Sequence, residues 1–441
     1  MVMRTGWVWI VIMFNALAGL LVYASAYAGD GVYGLTAVYV LMSLSMIVMI
    51  RYYPGNLTYA LLASFMVWEA SLQKTMPLLP RIFTPGMIIA LWFVSGAWRV
   101  KLHQGGTFLI SLLAMALIGI TRELVNPPAN TSGLSYSLML LAAAALVQVF
   151  AAGRREHVHF TLSVLIGLAV SSGFYAFLNI AYAVGKSYLN LAGLIADDRL
   201  GNFSMSGANS LAYVYGVGFI ASLFAWWTLG RDAFSHWLLL FAFINVLAVV
   251  ATKTISVFIA ISVVAGLLVF RGFSTKPVLS VVMIAVIGLL CGYAVETYQF
   301  RDYESFGRMA IWELVFTGIQ KYPFLGVPFD KLDVFLPIIT YTYGGIEYDS
   351  YLATPHNMFL ANMLYYGVPA GAMFIVGSLH ALRKVHGALD AHRVEYGYAA
   401  MALMILTMAT HMGIDAWYTI ALMPYALCFA EINALDRAVA E

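Results

Sequence analysis

HFTLSVLIGLAVSSGFYAFLNIAYAVG, residues 159–185, decides the fold. It contains no Lys, Arg, Asp or Glu and is long enough to cross a hydrocarbon core, which takes about 20 residues. Working outward from it, comparable apolar stretches precede it near 6–28, 31–50, 57–72, 84–98, 106–121 and 134–152. Others follow near 208–229, 237–251, 255–270, 278–296, 357–381, 397–412 and 415–432. Several are short enough to be tilted or re-entrant, so the expectation is an all-α polytopic integral membrane protein with about 12–14 transmembrane helices. Composition agrees. Of 441 residues, 62% are hydrophobic and 10% charged, against roughly 45–50% and 25% in soluble domains. Mean hydropathy is +0.85. No soluble fold buries that much apolar surface, which excludes nucleic-acid binding, secretion as a globular enzyme and a cytosolic existence. Cys291 and Cys428 both lie in apolar runs, which disfavours a zinc site or a disulfide framework. Arg4 ahead of the first stretch and Ala24-Ser25-Ala26 behind it imitate a signal peptide. The apolar run of about 18 residues exceeds the usual 7–15, so an uncleaved first helix is expected.

Lys and Arg collect in cytoplasmic loops. With the N-terminus inside, one side holds Arg4, Arg51, Arg99, Lys101, Arg154, Arg155, Arg231, Arg271, Lys276, Arg383, Lys384, Arg393 and Arg437. Both termini then face the cytoplasm. On the other side, Lys74, Arg81 and Arg122 fall in short loops. Lys186, Arg199, Lys253, Arg301, Arg308, Lys321 and Lys331 concentrate in the outer segments 186–207 and 297–356 and in the tight turn 252–254. Long translocated loops escape the rule, and that is one reading of these cations. The other is an anionic ligand, because phosphate recruits Arg and Lys through charge-assisted hydrogen bonds.

No internal repeat, low-complexity tract or soluble domain is visible, and neither are the inverted repeats common in carriers. Three regions are expected: a transmembrane bundle over 1–296, an outer segment over 297–356 and further transmembrane helices over 357–441. In the outer segment, ESFGRMAIWELVFTGIQKY (304–322) reads as an amphipathic helix, with Arg308, Trp312, Val315 and Ile319 at helical spacing and Pro323 ending it. TYTYGGIEYDSYLATPHN (340–357) reads as loop.

Of nine histidines, only His356 and His411 reach the outer side. Imidazole is the side chain best poised for proton transfer near neutrality, and His356 shares its segment with the displaced cations. Helix capping is the competing reading for "TPHN", and structural hydrogen bonding competes for His411 beside Asp415. Snorkelling competes at Lys253, and a salt bridge to Asp197 or Asp198 competes at Arg199. Glu69, near the outer end of its helix, is left unassigned. The acidic pairs Asp302/Glu304 and Glu347/Asp349 have spacing that a divalent metal uses, though chance produces it often. No P-loop, HExxH or G-x-S-x-G element occurs.

Four segments carry a family resemblance, in order: RLGNFSMSGANSLAYV from Arg199, ATKTISVF around Lys253, RMAIWELVFTGIQKYPFLGVPF from Arg308, and PHNMFLANMLYYGVPAG from Pro355. This set resembles the bacterial O-antigen ligases and the related O-antigen and exopolysaccharide polymerases. It covers about residues 195–380; the first half of the chain is similar only in being hydrophobic. Val327-Pro328 departs from a frequent Gly-x-Gly, and Lys253 stands where Arg is frequent.

The resemblance implies a fold of the membrane glycosyltransferase C type in the bacterial inner membrane. It implies transfer of a glycan from an undecaprenyl-pyrophosphate donor at the periplasmic face, inverting and without a metal or other cofactor. By matching positions, His356 is the base, and Arg199 and Arg308 hold the pyrophosphate, with Lys253 adding positive charge. Arg301, His411, Asn357 and Tyr351 are secondary candidates, Tyr351 as one of the tyrosines of 341–351 suited to stacking on sugars. The acceptor is lipid A core for a ligase, the reading leaned to, or a second lipid-linked glycan for a polymerase. A transporter or flippase for a lipid-linked or anionic solute, and a non-catalytic scaffold, remain alternatives. Cations gathered at one face speak against a transport path.

Overall fold

A computed structural model describes residues 6–28, 32–72, 78–100, 106–125, 132–157, 159–187, 208–229, 234–252, 254, 256–262, 264, 302–336, 338–343, 346–352, 355, 357–388, 394–409 and 419–440. Its elements in chain order begin with α1 (Gly6–Ala28), α2 (Val32–Tyr52), α3 (Asn56–Leu72), α4 (Leu78–Val94) and α5 (Gly106–Val125). They continue through α6 (Ser132–Glu156), α7 (Phe160–Ser187), α8 (Ala208–Leu229) and α9 (Ser235–Thr252). Then come α10 (Asp302–Lys321), a hairpin of β1 (Ile338–Tyr343) and β2 (Ile346–Leu352), α11 (Met358–Tyr366), α12 (Val368–Ala388), α13 (Val394–Ala409) and α14 (Met423–Ala440). Among the described residues, six helices (α1 and α5 to α9) are long and apolar enough to cross a membrane. The chain is a multi-pass helical membrane protein.

Helices form here because hydrocarbon offers the backbone no partner, so each segment must satisfy its own N–H and C=O groups. Lipid is as apolar as leucine, so helices associate through close approach and internal polar contacts. Helix α3 is the central post: Thr58 through Glu69 are all buried, and α7 and α1 pack on it. A Cβ at Gly167 of α7 would lie 2.2 Å from the Ala60 carbonyl oxygen, so only glycine permits that crossing. Polar side chains bind the same three helices. Asn15 donates to Ser64 Oγ at 3.0 Å and accepts from Trp68 Nε1 at 2.7 Å, and Ser64 Oγ reaches the Gly167 carbonyl at 3.2 Å. Glu69 is fully buried and accepts from Thr84 Oγ1 of α4 at 3.3 Å, so it is an interior group and not an interfacial one. Helices α7, α8 and α9 pack on one another, and α13 joins through α8.

A second group is α5, α6, α12 and α14. Helices α5 and α6 run antiparallel, with Gly119 facing Ser137, so Arg122 and Arg154 mark opposite ends. At the second end, Arg154 Nε donates to Glu431 Oε1 of α14 at 2.8 Å, and Thr161 Oγ1 donates to the same carboxylate oxygen. The Arg154 guanidinium also lies 5.7 Å over the Tyr396 ring, tying in α13.

Two expectations are corrected. The stretch 357–381 is not one helix: Gly367, at φ 88°, separates α11 from α12. A Cβ on Gly371 would approach the Met363 backbone nitrogen to 3.0 Å, so α11 folds back along α12 instead of continuing it. The loop expected over 340–357 contains an antiparallel β-hairpin with an irregular register between Ile339 and Tyr341. The hairpin has a local cause and leaves the helical fold class intact: IITYTY and IEYDSYL are rich in β-branched and aromatic residues, and Gly344-Gly345 between them is a hairpin dipeptide. The expected stretch 278–296 lies outside the described residues.

Removing one partner of a buried ion pair leaves the other charge uncompensated, at a cost of about 3–5 kcal/mol. Arg154→Met is expected to lower the unfolding midpoint of the purified full-length protein by the corresponding several degrees; an unchanged midpoint would remove the pair from the stabilising contacts.

Candidate active site

Helix α10 carries the third motif. Ile311, Val315 and Ile319 are buried, whereas Glu313, Leu314, Phe316 and Gln320 are exposed, so its apolar stripe faces the bundle. Gly318 lets α10 close on α11, since a Cβ there would meet Leu364 Cδ1 at 2.7 Å. Pro323 ends the helix by removing a donor and clashing with the preceding turn. The chain then makes a tight turn with Gly326 at φ 72°, a conformation that favours glycine.

This turn is sewn to the break between α11 and α12. Val327 N donates to the Leu364 carbonyl at 2.7 Å, and Val368 N donates to the Pro323 carbonyl at 2.7 Å. The two glycines make the approach: Cβ atoms at Gly326 and Gly367 would collide with the Tyr365 and Phe324 backbones, at 2.4 and 2.2 Å. Carbonyls at such a junction lack helical partners, and Arg122 of α5 supplies them. Its Nη1 donates to the Tyr365, Val327 and Leu325 carbonyls at 2.6, 2.9 and 3.3 Å. The guanidinium lies 4.7 Å over the Phe329 ring, which stacks in turn on Tyr136 of α6 at 5.2 Å and on Tyr365 at 5.8 Å. Glu123 Oε1 is 3.7 Å from Arg122 Nε. Arg122 is thus inside a helix and buried, not in a short loop.

At its other end α11 begins beside α10. Trp312 Nε1 donates to the Pro355 carbonyl at 2.8 Å. Arg308 lies one turn before Trp312 on the helix, and Pro355 immediately precedes His356. Asn357 is the N-cap, its Oδ1 accepting from Phe359 N at 2.9 Å and Leu360 N at 3.1 Å. The Met358 sulfur accepts from Tyr425 OH of α14 at 2.8 Å. Tyr425 is only six residues from Glu431, the partner of Arg154, so the start of α11 reaches into the bundle from the Arg122 end.

Among the expected site residues, His356, Arg199, Lys253, Arg301 and His411 lie outside the described residues. Arg308 falls on α10 and Tyr351 on β2, where the backbone course is described and the side chains are not. Asn357 has a described side chain, and it caps α11. The third and fourth motifs are brought together through Trp312 and Pro355, whereas Arg199 and Lys253 of the first two motifs lie outside the described residues. Sequence reasoning missed Arg122 as the residue that fastens the turn. The signal was present: Arg122 and Glu123 form an ionisable pair at the end of an apolar run, where charge is costly and finds partners.

Arg122→Ala deprives three carbonyls of their shared donor and leaves Glu123 buried alone. The expected cost is about 3–5 kcal/mol, read as a lower unfolding midpoint, with Arg122→Lys recovering only part of it because an ammonium lacks the planar fork. A midpoint equal to wild type would refute the fastening role. In comparison with known proteins, the chain matches no family model and no curated protein.

Proposed function

We propose that the protein is a membrane glycosyltransferase of type C that transfers a glycan from an undecaprenyl-pyrophosphate donor to an acceptor hydroxyl at the periplasmic face of the bacterial inner membrane. The preferred acceptor is lipid A core, as in O-antigen ligation; a second lipid-linked glycan, as in polymerisation, is the alternative. The observation that carries the reading is the hydrogen bond from Trp312 to the Pro355 carbonyl. It ties the helix bearing Arg308 to the residue before His356, which supports a reading in which a cation and an imidazole from separate motifs act together at the start of α11.

In this reading, His356 takes the proton from the acceptor oxygen as that oxygen attacks the anomeric carbon. The bond from that carbon to the pyrophosphate oxygen breaks, and the lipid pyrophosphate leaves with the electron pair. A positioned base contributes about 10²–10⁴ in rate. Arg308, with Arg199 and Lys253, stabilises the negative charge that grows on the leaving group, which lowers the transition state more than the ground state. The close approach of Gly318 to Leu364 and the Trp312 hydrogen bond hold the two segments in fixed relation, and the Asn357 N-cap fixes where α11 begins.

The test is transfer in vitro from an undecaprenyl-pyrophosphate glycan, with chelator present, to lipid A core and to a lipid-linked glycan in separate reactions. His356→Ala is expected to abolish transfer while the protein still inserts and purifies; near-normal transfer would remove His356 as base. Trp312→Phe keeps an aromatic side chain, smaller than the indole, but deletes the Nε1 donor, and is expected to lower kcat about tenfold with donor KM little changed, as misplacement of a catalytic group does. An unaltered kcat would detach this hydrogen bond from catalysis.

A further inference from the structure

The turn that follows α10 buries Val327 but leaves the side chains of Phe324 and Leu325 outside. Phe324 is 73% exposed and Leu325 61%. Flexibility does not account for this, because the backbone on both sides is fastened. The Pro323 carbonyl accepts from Val368 N, the Leu325 carbonyl from Arg122, and Gly326 lies against the Tyr365 backbone. Two large apolar side chains are therefore presented rigidly outward.

Their depth is set by what holds them. Arg122 is in the last turn of α5, within the apolar span Phe108–Val125. The turn thus sits where a membrane's hydrocarbon gives way to its headgroups. Helix α5 is open to its surroundings along its length, with Ile110, Leu113 and Leu117 exposed at helical spacing, and at the level of the turn Leu124 and Val125 are 76% and 69% exposed. Lys321, exposed on the last turn of α10 three residues before Phe324, has its ammonium 5.9 Å over the Tyr322 and Phe335 rings, and its long stem suits the boundary between hydrocarbon and headgroup.

We propose that Phe324 and Leu325 form a hydrophobic finger inserted into the bilayer leaflet at the C-terminal end of α5. The partner is the lipid surface. The segment between α9 and α11 is then anchored to the membrane at two places, through α10 packed on the bundle and through this finger in lipid. The inference needs only that α5 spans the membrane, and it stands whether or not the chain transfers glycans.

The test uses the full-length chain in proteoliposomes with Cys291 and Cys428 replaced by Ala. A fluorophore is attached at Leu325→Cys, at Leu117→Cys as the lipid-facing reference and at Lys331→Cys as the exposed polar reference. Quenching is measured by lipids brominated near the top of the acyl chain and by aqueous iodide. The label at 325 is expected to respond to brominated lipid within about twofold of the label at 117, and to iodide far less than the label at 331. Phe324→Cys repeats the measurement should the first variant insert poorly. Iodide quenching equal to that at 331 without bromine quenching would overturn the proposal. Shielding from both quenchers, as contact with a second copy would give, would overturn it too.

Discussion

One guanidinium sets the geometry of this end of the molecule. A backbone that turns inside a protein buries carbonyl oxygens that need partners, and the turn after α10 meets the break between α11 and α12 in such a buried junction. Arg122 resolves the conflict by donating to three carbonyls from both segments. Glycine at 326 and 367 admits the close approach, and the aromatic stack of Tyr136, Phe329 and Tyr365 encloses the charge. The turn is thereby fixed to a transmembrane helix, and the relation of α10 to α11 follows from it.

The consequence reaches the start of α11. With the far ends of α10 and α11 joined through Val327 and Leu364, and their near parts joined through Trp312 and Pro355, the two helices are clamped at two levels. The helix that bears Arg308 and the residue that precedes His356 are held together by scaffold, and in the proposed reading that scaffold sets the cation and the imidazole before any ligand arrives. Preorganisation of this kind is what electrostatic catalysis requires, since donors that must rearrange lose most of their effect.

The multi-pass helical architecture was legible because lipid leaves a strong imprint: long uncharged runs such as 159–185 have one stable solution. The amphipathic helix over 304–322 and its termination at Pro323 were legible from spacing and punctuation. The back-folded α11 was not, because residues 357–381 are apolar on both sides of Gly367 and hydropathy does not register a change of direction. The hairpin at 338–352 had its signal in Gly344-Gly345 and alternating Tyr and Thr, which a reading weighted toward loops passed over. At the candidate site, the motifs named His356 and Arg308. The bond from Trp312 to the Pro355 carbonyl is a contact across 43 residues of chain, which composition and periodicity do not encode.

The most direct measurement of the central claim is proximity across that clamp. In the full-length protein with its two native cysteines replaced, Arg308→Cys and His356→Cys are introduced together and treated with a short bis-maleimide in the membrane. Efficient intramolecular linkage, lost when Trp312 is also changed to Ala, is the expected result. Failure of the pair to link, with both cysteines reactive toward single maleimides, would contradict the joining of the two motifs at the start of α11.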